Sequence, residues 1–316
     1  MGKYILRRLF LLFITVFAMS VVIFLMVRLM PADVVDAMVG VDPTITAEAK
    51  AALRHSFGLD DPIPVQYVKW VGEAFQGNLG QSFRTREPIT KSLTAALPIT
   101  LELAFLAIVM SVIIAIPAGV LSAVKRNGSV DFWARAAALI GLAFPNFWLA
   151  TMFLLFTSLA FHWVPNVIFI PLTQDVAANL VQMFLPALAL SVQLMAVEMR
   201  MARASMLEVL RQDYIRTARA KGLREGVVVF KHALRNAFIP VITVIGIQVG
   251  NLIGGSVIIE QIFGLPGVGW MLYQGISGRD YPVVQVSALF LATVFVSVNL
   301  LVDLTYAYLD PRIKYT

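Results

Sequence analysis

Six long apolar runs, at residues 9–27, 99–124, 136–161, 181–197, 238–259 and 283–304, dominate this sequence of 316 residues. A bilayer hydrocarbon core is about 30 Å thick and an α-helix rises about 1.5 Å per residue, so runs of roughly 17–25 apolar residues are matched to a membrane. No water reaches the backbone amides there, and a helix satisfies them internally. The expected fold class is an all-α polytopic membrane protein with six transmembrane helices. Composition agrees, with 59% apolar and 14% charged residues and a mean hydropathy of +0.80. This balance excludes ordinary soluble domains, disorder, a collagen-like chain and a nucleic-acid module, because the net charge of +6 sits on an otherwise hydrophobic polymer. The absence of cysteine removes disulfides, thiolate metal sites, iron–sulfur clusters and cysteine nucleophiles.

The first run follows Lys3, Arg7 and Arg8 but exceeds the roughly 7–15 residues of a signal-peptide core, which predicts an uncleaved anchor. Basic residues favour the cytoplasmic side. With the N-terminus inside, 17 of the 25 Lys and Arg residues fall on that side, nine of them between Arg200 and Arg235. Both termini are therefore expected in the cytoplasm. The outside segment 30–98 holds eight acidic and six basic residues, with helix-start signals at Asp42-Pro43-Thr44 and Asp61-Pro62. A small helical periplasmic segment is expected there. The chain thus divides into 1–29 (N-terminal tip and first span), 30–98 (periplasmic segment) and 99–316 (five-helix core with a cytoplasmic loop at 200–236).

That loop carries more than charge. Leu207, Leu210, Tyr214 and Ala218 recur at spacings of three and four, which predicts one helix face. Gly222 follows Ala218, Arg219, Ala220 and Lys221 and suits a glycine-terminated helix with basic residues near its negative end. The small side chains before the turn would let another protein approach closely.

Within the spans, Glu102, Glu198, Glu260 and Asp303 are expected to face protein or water, or to lie near the membrane interfaces, since a charge in hydrocarbon is costly. The uncharged amides Asn146, Gln193, Gln248 and Asn251 are candidate path-lining residues, or else interhelical hydrogen-bonding groups. Gly246, Gly250 and Gly254 share one helix face and predict a packing seam, internal or between subunits. Pro145 predicts a kink in the third span, and Phe263-Gly264-Leu265-Pro266-Gly267 a tight turn.

No phosphate-cradling GxxxxGK[ST] loop occurs in these residues, so energy must come from a partner or from a gradient. Gly275-Ile276-Ser277-Gly278 fits a serine-protease pattern, but His55, His162 and His232 all fall in loops. That leaves no base inside a span for such chemistry. Neither a catalytic nor a metal site is expected. A transport subunit served by a separate ATPase and a gradient-driven secondary transporter or channel both fit these residues.

The segment Asp213-Tyr214-Ile215-Arg216-Thr217-Ala218-Arg219-Ala220-Lys221-Gly222, continued by His232-Ala233-Leu234-Arg235-Asn236 and Pro240, resembles the EAA-type loop of ABC importer permeases. It is most similar to the first permease subunit (dipeptide-permease B type) of the dipeptide, oligopeptide, nickel and glutathione branch. Arg216-Thr217-Ala218 stands where the wider superfamily has Glu-Ala-Ala, and Pro240 lies farther from Gly222 than usual; both look like the peptide branch. Other similar motifs are Ile5-Leu6-Arg7-Arg8-Leu9, Phe57-Gly58-Leu59-Asp60 and Gly77-Asn78-Leu79-Gly80 with Ser82. Toward the C-terminus come Glu260-Gln261-Ile262-Phe263 with Pro266-Gly267-Val268-Gly269, then Arg279-Asp280-Tyr281-Pro282, and Asp310-Pro311-Arg312-Ile313.

The resemblance implies a type I importer permease fold in a bacterial inner membrane, working by alternating access. It implies a second homologous permease subunit as heterodimer partner, two cytoplasmic ABC ATPases that use ATP and Mg, a periplasmic solute-binding protein, surrounding membrane lipid, and no nucleic acid. No cofactor is expected on this chain. Tyr214, Arg216, Thr217, Ala218, Arg219, Ala220, Lys221 and Gly222 would form the coupling helix, with Ala218, Ala220 and Gly222 as its contact and turn positions.

Overall fold

A computed structural model describes residues 2–29, 46–56, 59–166 and 168–309. In chain order the helices are α1 (Gly2–Arg28), α2 (Ala47–Ser56), α3 (Ile63–Phe75), α4 (Ile89–Val124), α5 (Ser129–Ala143) and α6 (Asn146–Phe161). They are followed by α7 (Val176–Val209), α8 (Asp213–Ala220), α9 (Glu225–Phe263), α10 (Val268–Ser277) and α11 (Tyr281–Leu309). The helix α9 opens with a π-helical turn, Val228–Ala233. Among the described residues five helices are long and apolar enough to cross a membrane, or six spans result if α5 and α6 together make one.

The expected spans all lie on helices, but their limits and one of their shapes differ. α4 begins ten residues before the predicted start and runs through Pro98, because Ile89, Leu93 and Ala96 bury against α10 and α11 outside the apolar run. α7 extends on both sides of the run 181–197; Asp175 caps its N-terminus by accepting a hydrogen bond from the Ala178 N–H at 3.0 Å. The third span is not one kinked helix: α5 and α6 meet at 105° across Phe144 and Pro145. Proline supplies no N–H and excludes the preceding residue from helical geometry, and Phe144 is accordingly extended. Of the helix-start signals in segment 30–98, Asp61-Pro62 opens α3, whereas Asp42-Pro43-Thr44 lies outside the described residues.

The centre of the bundle is the packing of α4 and α9 against α7. Ile99, Leu103 and Ala107 of α4 meet Met183, Leu185, Ala187 and Leu190 of α7, with Leu252 and Ile259 of α9 closing the cluster. Small residues set the approach, as dispersion demands where lipid supplies no hydrophobic drive. A Cβ on Gly119 would stand 2.7 Å from the Met199 carbonyl oxygen and 2.8 Å from Ala202 Cβ, so α4 and α7 touch backbone to backbone there. The predicted glycine seam is uneven within the chain: a Cβ on Gly250 would meet Asn299 Oδ1 of α11 at 2.6 Å, whereas one on Gly254 would meet nothing. Instead Gly255, one residue on, packs against Leu190.

Two of the four span carboxylates face protein, as the cost of a charge in hydrocarbon requires. Glu198 is 1% exposed and Glu260 fully buried. The pattern of charges along a span does not reveal which face is covered by protein, and both faces here are. The glycines of Gly275-Ile276-Ser277-Gly278 have a packing role: a Cβ on Gly275 would press on Val283 and Val284 of α11, and one on Gly278 on Arg84.

Gly119→Leu should push α4 off α7 and cost about 1–3 kcal/mol of stability, the range for overpacking. The expected outcome is a lower yield of folded protein in detergent and a lower unfolding midpoint by scanning fluorimetry. Gly226→Ala, where an added methyl meets nothing, should leave both unchanged.

Candidate functional site: the basic loop and its supports

The basic loop is a short helix set between two turns at the end of the bundle. α7 ends at Val209, and Leu210 to Gln212 turn the chain into α8. The single face predicted for Leu207, Leu210, Tyr214 and Ala218 is therefore divided between two helices. Ile215 and Ala218 of α8 are buried against Ile116, Val120, Met206, Val228, Val229 and Ala233, so α8 is seated where the ends of α4 and α7 and the start of α9 converge. Ala218 faces inward, and the surface open to a partner is Tyr214, Arg216, Thr217, Arg219, Ala220 and Lys221.

The terminus of α8 has the predicted chemistry. Gly222 adopts φ +73°, its N–H bonds the Arg219 carbonyl at 2.9 Å, and the Leu223 N–H bonds the Ala218 carbonyl at 3.4 Å. This is a Schellman termination, whose left-handed residue carries no penalty when it is glycine. Arg219 and Glu225 clasp across the turn at 2.6 Å, and the carboxylate holds the guanidinium above its ordinary pKa. The Asn236 amide donates to the Tyr214 hydroxyl at 2.8 Å, tying α8 to α9.

Beneath the loop lies a group that the sequence reading overlooked. Asp131, in the first turn of α5, is fully buried. It accepts from Ser122 Oγ at 2.6 Å, from the Asn127 N–H at 3.0 Å, and from Arg203 Nε and Nη2 at 2.7 and 2.9 Å. The bidentate fork is the strong form of this pair. One carboxylate thus fastens the end of α4, the start of α5 and the last turns of α7. Counting loop charges had assigned Arg203 only to a basic excess; Asp131 closely following Asn127-Gly128-Ser129 was the available signal.

The four candidate path amides do not form one group. Gln193 donates to the Phe144 carbonyl at 3.1 Å and so satisfies the acceptor released at the Pro145 break. Asn146 opens α6 beside Gly255 of α9, with its Oδ1 buried and without a hydrogen-bond partner among the described residues. Gln248 Nε2 is likewise buried without a partner among the described residues, and Asn251 is exposed.

On the side away from the basic loop, motifs distant in sequence meet. Ser82 Oγ donates to Asp280 Oδ2 at 2.5 Å, and the N–H groups of Phe83 and Arg84 donate to the same carboxylate at 3.1 and 3.4 Å. Glu260 accepts from Thr100 Oγ1 at 2.8 Å and from the Trp270 N–H at 2.9 Å, while the Val268 N–H donates to Thr100 Oγ1 at 2.9 Å. The turn at 263–267 thereby has a role: it returns the chain so that Glu260 caps α10 from the end of α9. A Cβ on Gly267 would collide with the Glu260 carboxylate, which explains the glycine.

Replacing Arg203 by alanine strands a buried carboxylate, and a loss on the order of 3 kcal/mol is expected. Chemical denaturation of the purified protein in detergent would show it. Arg203→Lys keeps the charge without the fork and should fall between alanine and the parent.

Comparison with known proteins accords with this architecture. Family models match residues 115–315, as binding-protein-dependent transport system inner membrane component, and residues 1–104, as the N-terminal part of such a membrane component. The dipeptide transport system permease protein of Alkalihalophilus pseudofirmus is 40% identical, with all of both chains covered. The di/tripeptide transport system permease of Pseudomonas aeruginosa is 40% identical over 100% of this chain and 99% of its own. The oligopeptide transport system permease of Bacillus subtilis is 38% identical over all of both. A crystal structure of an amino acid ABC transporter with histidines superposes with a TM-score of 0.53 at 16% identity, over 70% of this chain and 95% of that one, and shares the fold. The chain belongs to the inner-membrane components of binding-protein-dependent transport systems, and is a multi-pass permease subunit of an ABC importer that works with an ATPase and a solute-binding protein.

Proposed function

We propose that this subunit forms half of a heterodimeric peptide pathway in a bacterial inner membrane, with both termini and the basic loop in the cytoplasm. The observation that carries the reading is α8: an exposed, basic surface on a helix whose other face is packed into the ends of three long helices. A push on such a helix cannot be absorbed locally, because Ile215 and Ala218 are already close-packed. Names of relatives at about 40% identity support peptides as cargo.

In this reading two cytoplasmic ATPases hydrolyse ATP with Mg, this chain carries out no chemistry, and a periplasmic binding protein delivers the solute. ATP binding draws the ATPases together and carries α8 inward with Tyr214, Arg216, Thr217, Arg219, Ala220 and Lys221 as its contact surface. Gly222 fixes the turn behind it. The movement passes through Ile215 and Ala218 to α4, α7 and α9, and access alternates from inside to outside. Asn146, Gln248 and Asn251 are the amides assigned to the path in this reading, while Gln193 serves the helix break.

Gly222→Val forces a β-branched residue into the left-handed region, at a cost of about 1–2 kcal/mol. In the reconstituted importer, peptide uptake is expected to fall on the order of tenfold with insertion intact. Gly222→Asn, whose side chain tolerates that conformation, should retain most uptake. Undiminished uptake and stimulated ATPase activity in Gly222→Val would remove α8 from the coupling role.

A further inference from the structure

The segment between the first two spans does more than connect them. α3 lies along the end of α1 farthest from the basic loop and inserts aromatic side chains beside it. Arg8 and Arg28 are separated by about 30 Å of helix, the thickness of the hydrocarbon core, so they bracket the membrane on α1. Ser20 is then about 12 Å below Arg28. Its Oγ is 2.7 Å from the Tyr67 hydroxyl, and the Tyr67 ring sits edge-on to Phe17 and Phe24 at 6.3 and 5.4 Å. Trp70 joins the cluster at 5.8 Å from Phe24. α3 is therefore sunk below the level of Arg28, although its own sequence is too short to span.

Its outward face suits that depth. Val65, Val68 and Phe75 follow one another at three and seven residues, share a face, and are 41%, 68% and 84% exposed. Such exposure in water would leave an unpaired apolar stripe, whereas at the boundary of headgroups and acyl chains it is solvated by lipid.

Beside this helix is a cavity of about 350 Å³, lined among others by Arg28, Trp70, Glu73, Arg86, Tyr281 and Gln285. Two guanidinium groups and one carboxylate face one space. Gln285 is 5% exposed, and its Nε2 has no partner among the described residues. Arg28 is drawn down into position by Gln66, which accepts from its Nε at 2.9 Å, and by the face of Phe24, 4.7 Å from its Cζ. Arg86 has φ +61°, a left-handed conformation that a non-glycine residue rarely adopts, at the tip of the turn held by Asp280. Donors for an anion thus converge with one acidic group suited to an adjacent amine, on a helix immersed at headgroup depth.

We infer that α3 is an interfacial helix of the leaflet away from the basic loop and that this cavity seats a phospholipid headgroup, its phosphate on Arg28, Arg86 and Gln285 and its amine near Glu73. The inference rests on the membrane placement of α1 and is independent of the cargo reading.

The cysteine-free chain allows the test in the assembled importer. A spin label at Val68→Cys, in vesicles of phosphatidylethanolamine and phosphatidylglycerol, should collide more with oxygen than with a water-soluble nickel chelate, as a label at Phe13→Cys does. A label at Arg126→Cys, exposed in the turn after α4, supplies the aqueous reference. Water-like collision at Val68, or shielding from both agents by a protein partner, would overturn the interfacial placement. Native mass spectrometry should find phosphatidylethanolamine retained per copy and Arg86→Gln lowering that retention about tenfold, the value of one charge-assisted contact. Equal retention of phosphatidylglycerol would overturn the pairing with Glu73. Displacement of the lipid by millimolar glycylglycine would reassign the cavity to a soluble zwitterion.

Discussion

Every interruption of a helix in this protein must satisfy its own backbone, because hydrocarbon and buried protein offer no water to do it. That constraint explains where the polar side chains are. At the break between α5 and α6, Gln193 takes the Phe144 carbonyl. At the start of α5, Asp131 receives the Asn127 N–H. The loop between α6 and α7 is held by Asn179, which donates to the Ile170 carbonyl, and by Gln182, which donates to the Asn166 and Ile168 carbonyls and accepts from the Ile170 N–H. Asp280 and Glu260 do the same for the turn after Ser82 and for the start of α10. The apolar surface drives insertion, and these few groups decide where the chain may turn.

The same groups make the two ends of the bundle mechanically different. Away from the basic loop, Asp280 and Glu260 each join segments separated by more than one hundred residues, and α10 is locked between α4 and α11 by Ile89, Leu93, Val268, Met271 and Val283. On the basic side, α8 rests on an apolar cluster and is tied by one hydroxyl contact, Asn236 to Tyr214, and one exposed ion pair. Apolar contacts are non-directional, whereas a saturated carboxylate fixes the geometry of each group it holds. Asp131 and Arg203 supply such a fixed point between α5 and α7 next to the apolar cluster.

The spans were legible because length and hydropathy are one-dimensional quantities. The glycine termination of α8 was legible too, since Gly222 acts through its own backbone. What escaped were properties of the surroundings. Glu198 and Glu260 look like boundary charges until the helices covering them are placed, and Asp131 looks like one more loop residue until Arg203 arrives from α7. Ala218 has the same small side chain whether it meets a partner or its own core, so spacing alone could not orient it. The pairing of Ser82 with Asp280 was hidden by their separation, although both lie in motifs that the sequence marked.

Pro145 shows the same constraint acting within a single span. A proline inside an uninterrupted span would leave a carbonyl unpaired and strain the helix by about 3 kcal/mol. Here the helix is instead divided, and Gln193 removes the penalty from a neighbouring helix. A break satisfied from outside is an inexpensive place to change angle, because α5 and α6 can rotate relative to each other while one flexible amide follows the carbonyl. On the α5 side of the break, Gly141 contacts Val192 and Ala196 closely. On the other side, Asn146 adjoins Gly255 and keeps an oxygen without a partner among the described residues. The α5 half of this span is thus fastened to α4 and α7 through Asp131, and the half beyond Pro145 packs against α7 and adjoins α9, so the break at Pro145 separates two differently anchored segments of one span.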